Sequence, residues 1–312
     1  MSKRSLRDFG LILLKGMGMG AADVVPGVSG GTIAFITGIY EELINSIKNI
    51  NYATISTLWK EGIPSFWKAV NGNFLVSLVG GILISVLTLA RVLEYLLVNH
   101  PVLIWSFFFG LIIGSAIFVA RSIEKWNVGT VISLLVGIAV AWVITSITPA
   151  ETTEAYWFIF LSGALAICAM ILPGISGSFI LLLLGKYQFV LGALNEGRIS
   201  VIAVLLVGAL TGIISFSHLL SWLLKKYHHL TIALLSGFMI GSLNKIWPWK
   251  ETVETYLDSH GMVQPLIQKN IFPGRFTELT GTNSQLLWAV LLALAGFLLI
   301  FAFEAISKKS SK

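Results

Sequence analysis

Two short runs combine proline, glycine and serine in an order that uncovers backbone donors: Pro26-Gly27-Val28-Ser29-Gly30-Gly31-Thr32 and Pro173-Gly174-Ile175-Ser176-Gly177-Ser178. Proline breaks a helix by removing a donor and clashing with the preceding turn. The helix that restarts after it presents N–H groups with no intrahelical partner, and small side chains leave them open. Such groups, with the helix dipole behind them, attract anions. Ser29, Thr32, Ser176 and Ser178 add hydroxyl donors. A single run of this kind serves equally well as a kink or a close-packing device between membrane helices. Its repetition points to a site in which both runs face one negatively charged group.

The other candidates are isolated charges. Asp23 stands three residues before the first run, and its counterpart before the second is Met170. This asymmetry makes Asp23 a candidate for proton or cation coupling, with a cap on the turn as the alternative role. Arg91 and Glu94 have the i,i+3 spacing of a helical pair, and Arg91 can instead meet an external phosphate or snorkel to the interface. Lys15, with Glu41 and Glu42, flanks the first run where it can greet an anionic headgroup or anchor the interface. Lys186 and Arg198 hold the corresponding places around the second. The five histidines show no metal-ligand spacing. No paired-carboxylate or Ser-His-Asp pattern falls on one face, and Gly16-Met17-Gly18-Met19-Gly20 lacks the strand and lysine of a nucleotide loop. Enzymatic chemistry, a metal and an ATP-driven pump are therefore disfavoured, and the glycine run reads as close helix packing.

The elements that must carry these residues follow from composition. Of 312 residues, 56% are hydrophobic and 12% charged, with a mean hydropathy of +0.86. The apolar residues fall in blocks of about 20, the length that crosses a hydrocarbon core of roughly 30 Å as a helix. Six continuous spans are expected, near Phe74–Val98, Val102–Ala120, Val128–Ile147, Ile199–Leu224, Leu230–Trp247 and Leu286–Ile306. Two further stretches, about Phe9–Ile47 and Tyr156–Leu194, contain the runs and read as re-entrant or broken helical hairpins. The single cysteine, Cys168, rules out an intrachain disulfide. The basic residues form no stripe for nucleic acid, and the basic N-terminus reads as a retained cytoplasmic segment.

The two hairpins match over Gly38-Ile39-Tyr40 and Gly185-Lys186-Tyr187 as well. Downstream, Leu78-Val79-Gly80 matches Leu206-Val207-Gly208, and Gly110-Leu111-Ile112-Ile113-Gly114-Ser115 matches Gly237-Phe238-Met239-Ile240-Gly241-Ser242. The expectation is an all-α polytopic membrane protein, a single domain over 1–312, built from repeats at about 9–148 and 156–306. Each repeat has one hairpin and three crossings, so the second is inverted relative to the first. With both termini cytoplasmic, roughly 14 of the 21 Lys and Arg lie inside. Tyr52–Asn73 then becomes an interfacial cytoplasmic stretch, and Pro248–Gln285 the main external loop.

Taken together, Gly16 to Thr32 and Leu172 to Ser178 resemble the motifs of the bacterial polyprenyl-phosphate transporter family, and the likeness spans nearly the whole chain. The resemblance implies transport of undecaprenyl phosphate, a lipid carrier of cell-wall precursors, from the outer to the inner leaflet of the bacterial cytoplasmic membrane for reuse. The motif residues it carries over are Asp23, Pro26, Gly27, Ser29, Gly30 and Gly31, and Pro173, Gly174, Ser176 and Gly177, with Asp23 the coupling candidate and the others holding the headgroup. Partners are then the lipid and the bilayer. No cofactor is implied, although a proton or sodium gradient is a candidate driving force. A small-anion channel or carrier built on the same helix starts is the first alternative, and a membrane enzyme acting on polyprenyl phosphates the second.

Overall fold

The computed structural model describes residues 4–25, 28–150, 152–257 and 263–310. The first hairpin comprises α1 (Leu6–Val24), α2 (Gly30–Ile36) and α3 (Tyr40–Lys48). Helix α1 opens on a capping box in which Ser5 and Asp8 satisfy each other's backbone donors. Two short amphipathic helices, α4 (Tyr52–Glu61) and α5 (Ile63–Ala69), carry the exposed aromatic rings of Tyr52, Trp59 and Trp67. This agrees with an interfacial placement. Three long helices follow: α6 (Gly72–Asn99), α7 (Pro101–Ala120) and α8 (Val128–Ser146).

The second hairpin repeats the pattern with α9 (Tyr156–Ile171), α10 (Gly177–Leu183) and α11 (Tyr187–Asn195), and α10 and α11 meet at a bend of 105°. Then come α12 (Ile199–Lys226), α13 (His228–Ser242), a β-hairpin, α14 (Pro273–Thr280) and α15 (Leu286–Ser310). Among the described residues four helices, α6, α7, α8 and α12, are individually long and apolar enough to cross a membrane, and the bent α10–α11 pair would make a fifth span. Large apolar side chains such as Leu87, Ile132, Leu135, Leu206 and Leu210 are exposed along α6, α8 and α12, which in a protein of this composition marks a lipid-facing surface.

Two expectations need correction. The span expected to reach Trp247 stops at Ser242, because Leu243–Ile246 turn instead of continuing the helix. With 15 residues α13 rises only about 22 Å. The fold is also not purely helical: Lys250–Leu257 and Val263–Asn270 form an antiparallel pair, β1 and β2, with a register irregularity around Thr252–Thr255. The run Thr252-Val253-Glu254-Thr255-Tyr256 has the residue types that favour a strand, but in a polar segment between helices composition alone does not separate it from loop.

The long helices pack in four pairs, α1 with α6, α9 with α12, α7 with α15 and α8 with α13. Each pair closes on bare glycine backbone. A Cβ at Gly81 would overlap the Leu13 carbonyl, and one at Gly208 the Phe160 carbonyl. Gly16 and Gly163 lie in the same way against Leu78 and Leu205, Gly110 and Gly237 against Ala293 and Leu134, and Gly296 and Gly137 against Phe107 and Leu234. Gly80, the residue matched to Gly208 in the sequence, faces open space. Packing therefore places the correspondence one residue along, at Gly81.

Candidate functional site

Both breaks lie in the interior, and they touch. Ser29 is the N-cap of α2 and Ser176 that of α10, and each accepts a hydrogen bond from the first turn of its own helix, from Gly31 N–H at 3.0 Å and Phe179 N–H at 3.3 Å. Ser29 and Thr32 are fully buried and Ser176 nearly so. Across the gap, Ser29 Oγ donates to the Met170 carbonyl at 2.8 Å, and Gly174 N–H donates to Thr32 Oγ1 at 3.1 Å. The Tyr40 hydroxyl donates to the Ile171 carbonyl at 3.3 Å. Residues more than 130 positions apart are thus stitched together by polar bonds that satisfy buried backbone groups.

The glycines make this approach possible. A Cβ at Gly31 would overlap the Ile171 carbonyl, and one at Gly177 would lie 2.7 Å from the Ala166 carbonyl. Gly174 has φ +91°, in the left-handed region, with Ser242 Oγ and the Phe238 carbonyl closing on its open side. Pro173 is buried beside it. Pro26 and Gly27, two of the expected site residues, lie outside the described residues.

The two helix starts differ in what they hold. Asp23 Oδ1 accepts from Gly30 N–H at 2.7 Å, and its carboxylate fills the space that a Cβ at Gly30 would need. The first helix start thus already carries a carboxyl group from its own chain. At the second, Met170 Cβ lies 3.5 Å from the equivalent point on Gly177, so an apolar side chain stands where the carboxylate does in the first. Ser176 Oγ and Ser178 Oγ share a hydrogen bond at 2.8 Å there.

A family model described as undecaprenyl phosphate translocase-like (VCA0040-like) matches residues 19–264, from just before the first break through the second and into the β-hairpin. The chain belongs to that family. It is 48% identical over 296 residues to the polyprenyl-phosphate transporter of Vibrio cholerae serotype O1, covering 95% of this chain and 96% of that one. It is 35% identical over 254 residues to the polyprenyl-phosphate transporter of Staphylococcus aureus, covering 76% and 85%. Both relatives are named as transporters and neither as an enzyme. No solved structure matches the chain.

In this translocase-like chain the remaining charged candidates stand apart from the breaks. Lys15 Nζ donates to the Thr37 carbonyl at 2.7 Å, tying α1 to the end of α2. Lys186 plays a similar part in the second hairpin, donating to the Thr152 carbonyl at 2.8 Å. Arg91 and Glu94 are exposed on α6, and among the described residues they form no ion pair with each other. Glu42 is held by the Arg4 guanidinium through two bonds of 2.7 Å, and Asn71 donates to it at 2.8 Å. Tyr40 is not among the site residues expected from the sequence, although its repetition as Tyr187, at the start of the third helix of each hairpin, is a signal that could mark it.

Proposed function

We propose that this chain carries a polyprenyl phosphate, specifically undecaprenyl phosphate, from the outer to the inner leaflet of a bacterial cytoplasmic membrane, returning the lipid carrier for reuse. The observation that supports it most is the meeting of the two breaks, in a chain nearly half identical over almost its whole length to a polyprenyl-phosphate transporter. The headgroup is held between the breaks by Ser29, Thr32, Ser176, Ser178 and the backbone of Gly30, Gly31, Gly174 and Gly177, while the tail stays in lipid. Most of these donors are already bonded within the protein, so an entering phosphate exchanges protein bonds for its own. That exchange links binding to a change in how the breaks pack.

Two inverted repeats, with both termini cytoplasmic, rock about this shared site. The paired glycine contacts support that symmetry: α1 on α6 matches α9 on α12 within the halves, and α7 on α15 matches α13 on α8 between them. Asp23 is the coupling group. Its carboxylate competes with the phosphate for the first helix start, and taking up a proton or sodium ion weakens that competition.

The test is reconstitution in vesicles with labelled undecaprenyl phosphate, comparing wild type with a Ser29→Ala, Ser176→Ala double variant of checked thermal stability. We expect protein-dependent movement between leaflets that falls at least about tenfold in the variant, the loss of one or two charge-assisted hydrogen bonds. No movement under any imposed ion gradient, together with flux of small anions, would return the anion-carrier reading to first place.

A further inference from the structure

At the end of the bundle that bears the β-hairpin lies a cavity of about 400 Å³ that the breaks do not contain. It is framed by the end of α8, by α10, by the turn after α13 and by both strands. Three lysines line it, Lys245 from the turn, Lys250 from the first position of β1 and Lys269 from β2, and the first two are the buried pair. Lys245 Nζ stands 4.6 Å from the centre of the Phe179 ring, and Lys250 Nζ 4.3 Å from that of Trp105 while donating to the Lys245 carbonyl. Neither takes part in an ion pair among the described residues, and no acidic residue lines the cavity. Glu251, the next residue of β1, is exposed and stands opposite Lys269 in the strand pair.

The frame is fixed by amides. Asn270 Nδ2 donates to the Asn244 carbonyl at 2.8 Å and to Asn244 Oδ1 at 2.9 Å, and Asn244 Nδ2 donates to Thr145 and Ser146 at 3.1 and 3.2 Å. The wall opposite is apolar, with Ile147, Leu182, Leu183 and Ile267. Burial pushes both lysines below the ordinary lysine range, and Lys245 lowers Lys250 further. Two buried lysines with no acidic residue lining the cavity, beside an apolar wall, suit a ligand with a doubly charged head, whose entry favours their protonated forms, and a hydrocarbon stem.

We propose that this cavity is a loading site for a phosphoryl group, occupied before the breaks. The inference rests on reading the chain as a lipid-phosphate carrier. The site is joined to the second break through Phe179, which meets Lys245 on its ring face and donates from its backbone to Ser176. A phosphate that draws Lys245 off that ring frees the first turn of α10 to move.

The same chemistry would hold a lipid monophosphate headgroup or free inorganic phosphate, and the measurement separates them. Protein in nanodiscs of neutral lipid is titrated with undecaprenyl phosphate, with undecaprenol and with inorganic phosphate, following the tryptophan fluorescence to which Trp105 contributes. Lys245→Gln and Lys250→Gln should each weaken undecaprenyl phosphate binding about tenfold, and Lys245→Arg should restore most of it. Undecaprenol should not bind at the same site. If only inorganic phosphate responds to the Gln variants, the site takes the free anion. If neither ligand responds in folded variants, or if undecaprenol binds as well as its phosphate, the proposal falls. Should the variants fail to fold, protection of Lys245 and Lys250 of the wild type from reductive methylation by undecaprenyl phosphate decides the matter, and absence of protection overturns it. Absent leaflet exchange in wild-type vesicles would sink the transport reading alone, because binding lost in the Gln variants would still establish the cavity site.

Discussion

Asp23 is the residue whose two roles separate most cleanly by substitution. Its side chain accepts from Gly30 N–H at 2.7 Å, so alanine leaves a buried donor without a partner. That costs about 1–3 kcal/mol, and in a chain of this size we expect a fall of several degrees in the melting temperature. Asparagine keeps a carbonyl acceptor at the same place and should melt near wild type. If the charge couples transport to an ion gradient, Asp23→Asn loses its response to that gradient while keeping its stability. Wild-type transport in Asp23→Asn would reduce Asp23 to a cap. The site was partly legible at this scale because proline, glycine and serine each have a narrow backbone meaning, and a carboxylate in an apolar run stands out. Which groups Ser29 and Thr32 bond was not legible. A hydroxyl that donates to a carbonyl 141 residues away leaves no periodic trace in the sequence.

Helix pairing rests on glycine, and there a single methyl group tells adjacent positions apart. Gly80→Ala, on an open face, should be neutral or stabilise α6 by up to about 1 kcal/mol through helix propensity. Gly81→Ala drives a methyl into the Leu13 carbonyl and should cost about 1–3 kcal/mol, with Gly208→Ala in α12 costing about the same. Thermal unfolding in detergent checks all three, and equal effects of Gly80→Ala and Gly81→Ala would refute the packing register. The helices and both hairpins could be read from the sequence because apolar length and Pro-Gly punctuation are local signals. The one-residue error at Gly80 arose because two adjacent glycines look alike until a partner helix selects one. The β-hairpin escaped for a different reason: its strand-forming residues sit in a polar connection, where short strands and loops share a composition. Lys245 and Lys250 likewise became a pair only once the turn after α13 and the start of β1 were placed side by side.

For the molecule in its membrane, the proposed topology, with both termini cytoplasmic, sets which side each end faces. With Cys168 replaced by Ala, a cysteine at Lys125, in the exposed link between α7 and α8, should react with a membrane-impermeant maleimide only in inside-out vesicles. A cysteine at Asn283, just before α15, should react only in intact cells. The reverse pattern would invert the topology and place the lysine cavity on the cytoplasmic side. The cross-pairing of helices also has a consequence for synthesis. Helices α7 and α8 pack against α15 and α13, which emerge much later from the ribosome. The glycine face of α7 around Gly110 therefore waits for about 170 residues to be translated, roughly 10–30 s at ordinary elongation rates. Throughout that interval the nascent chain exposes an unclosed seam to the bilayer, and membrane insertion factors or quality-control proteases meet it before its own last helix does.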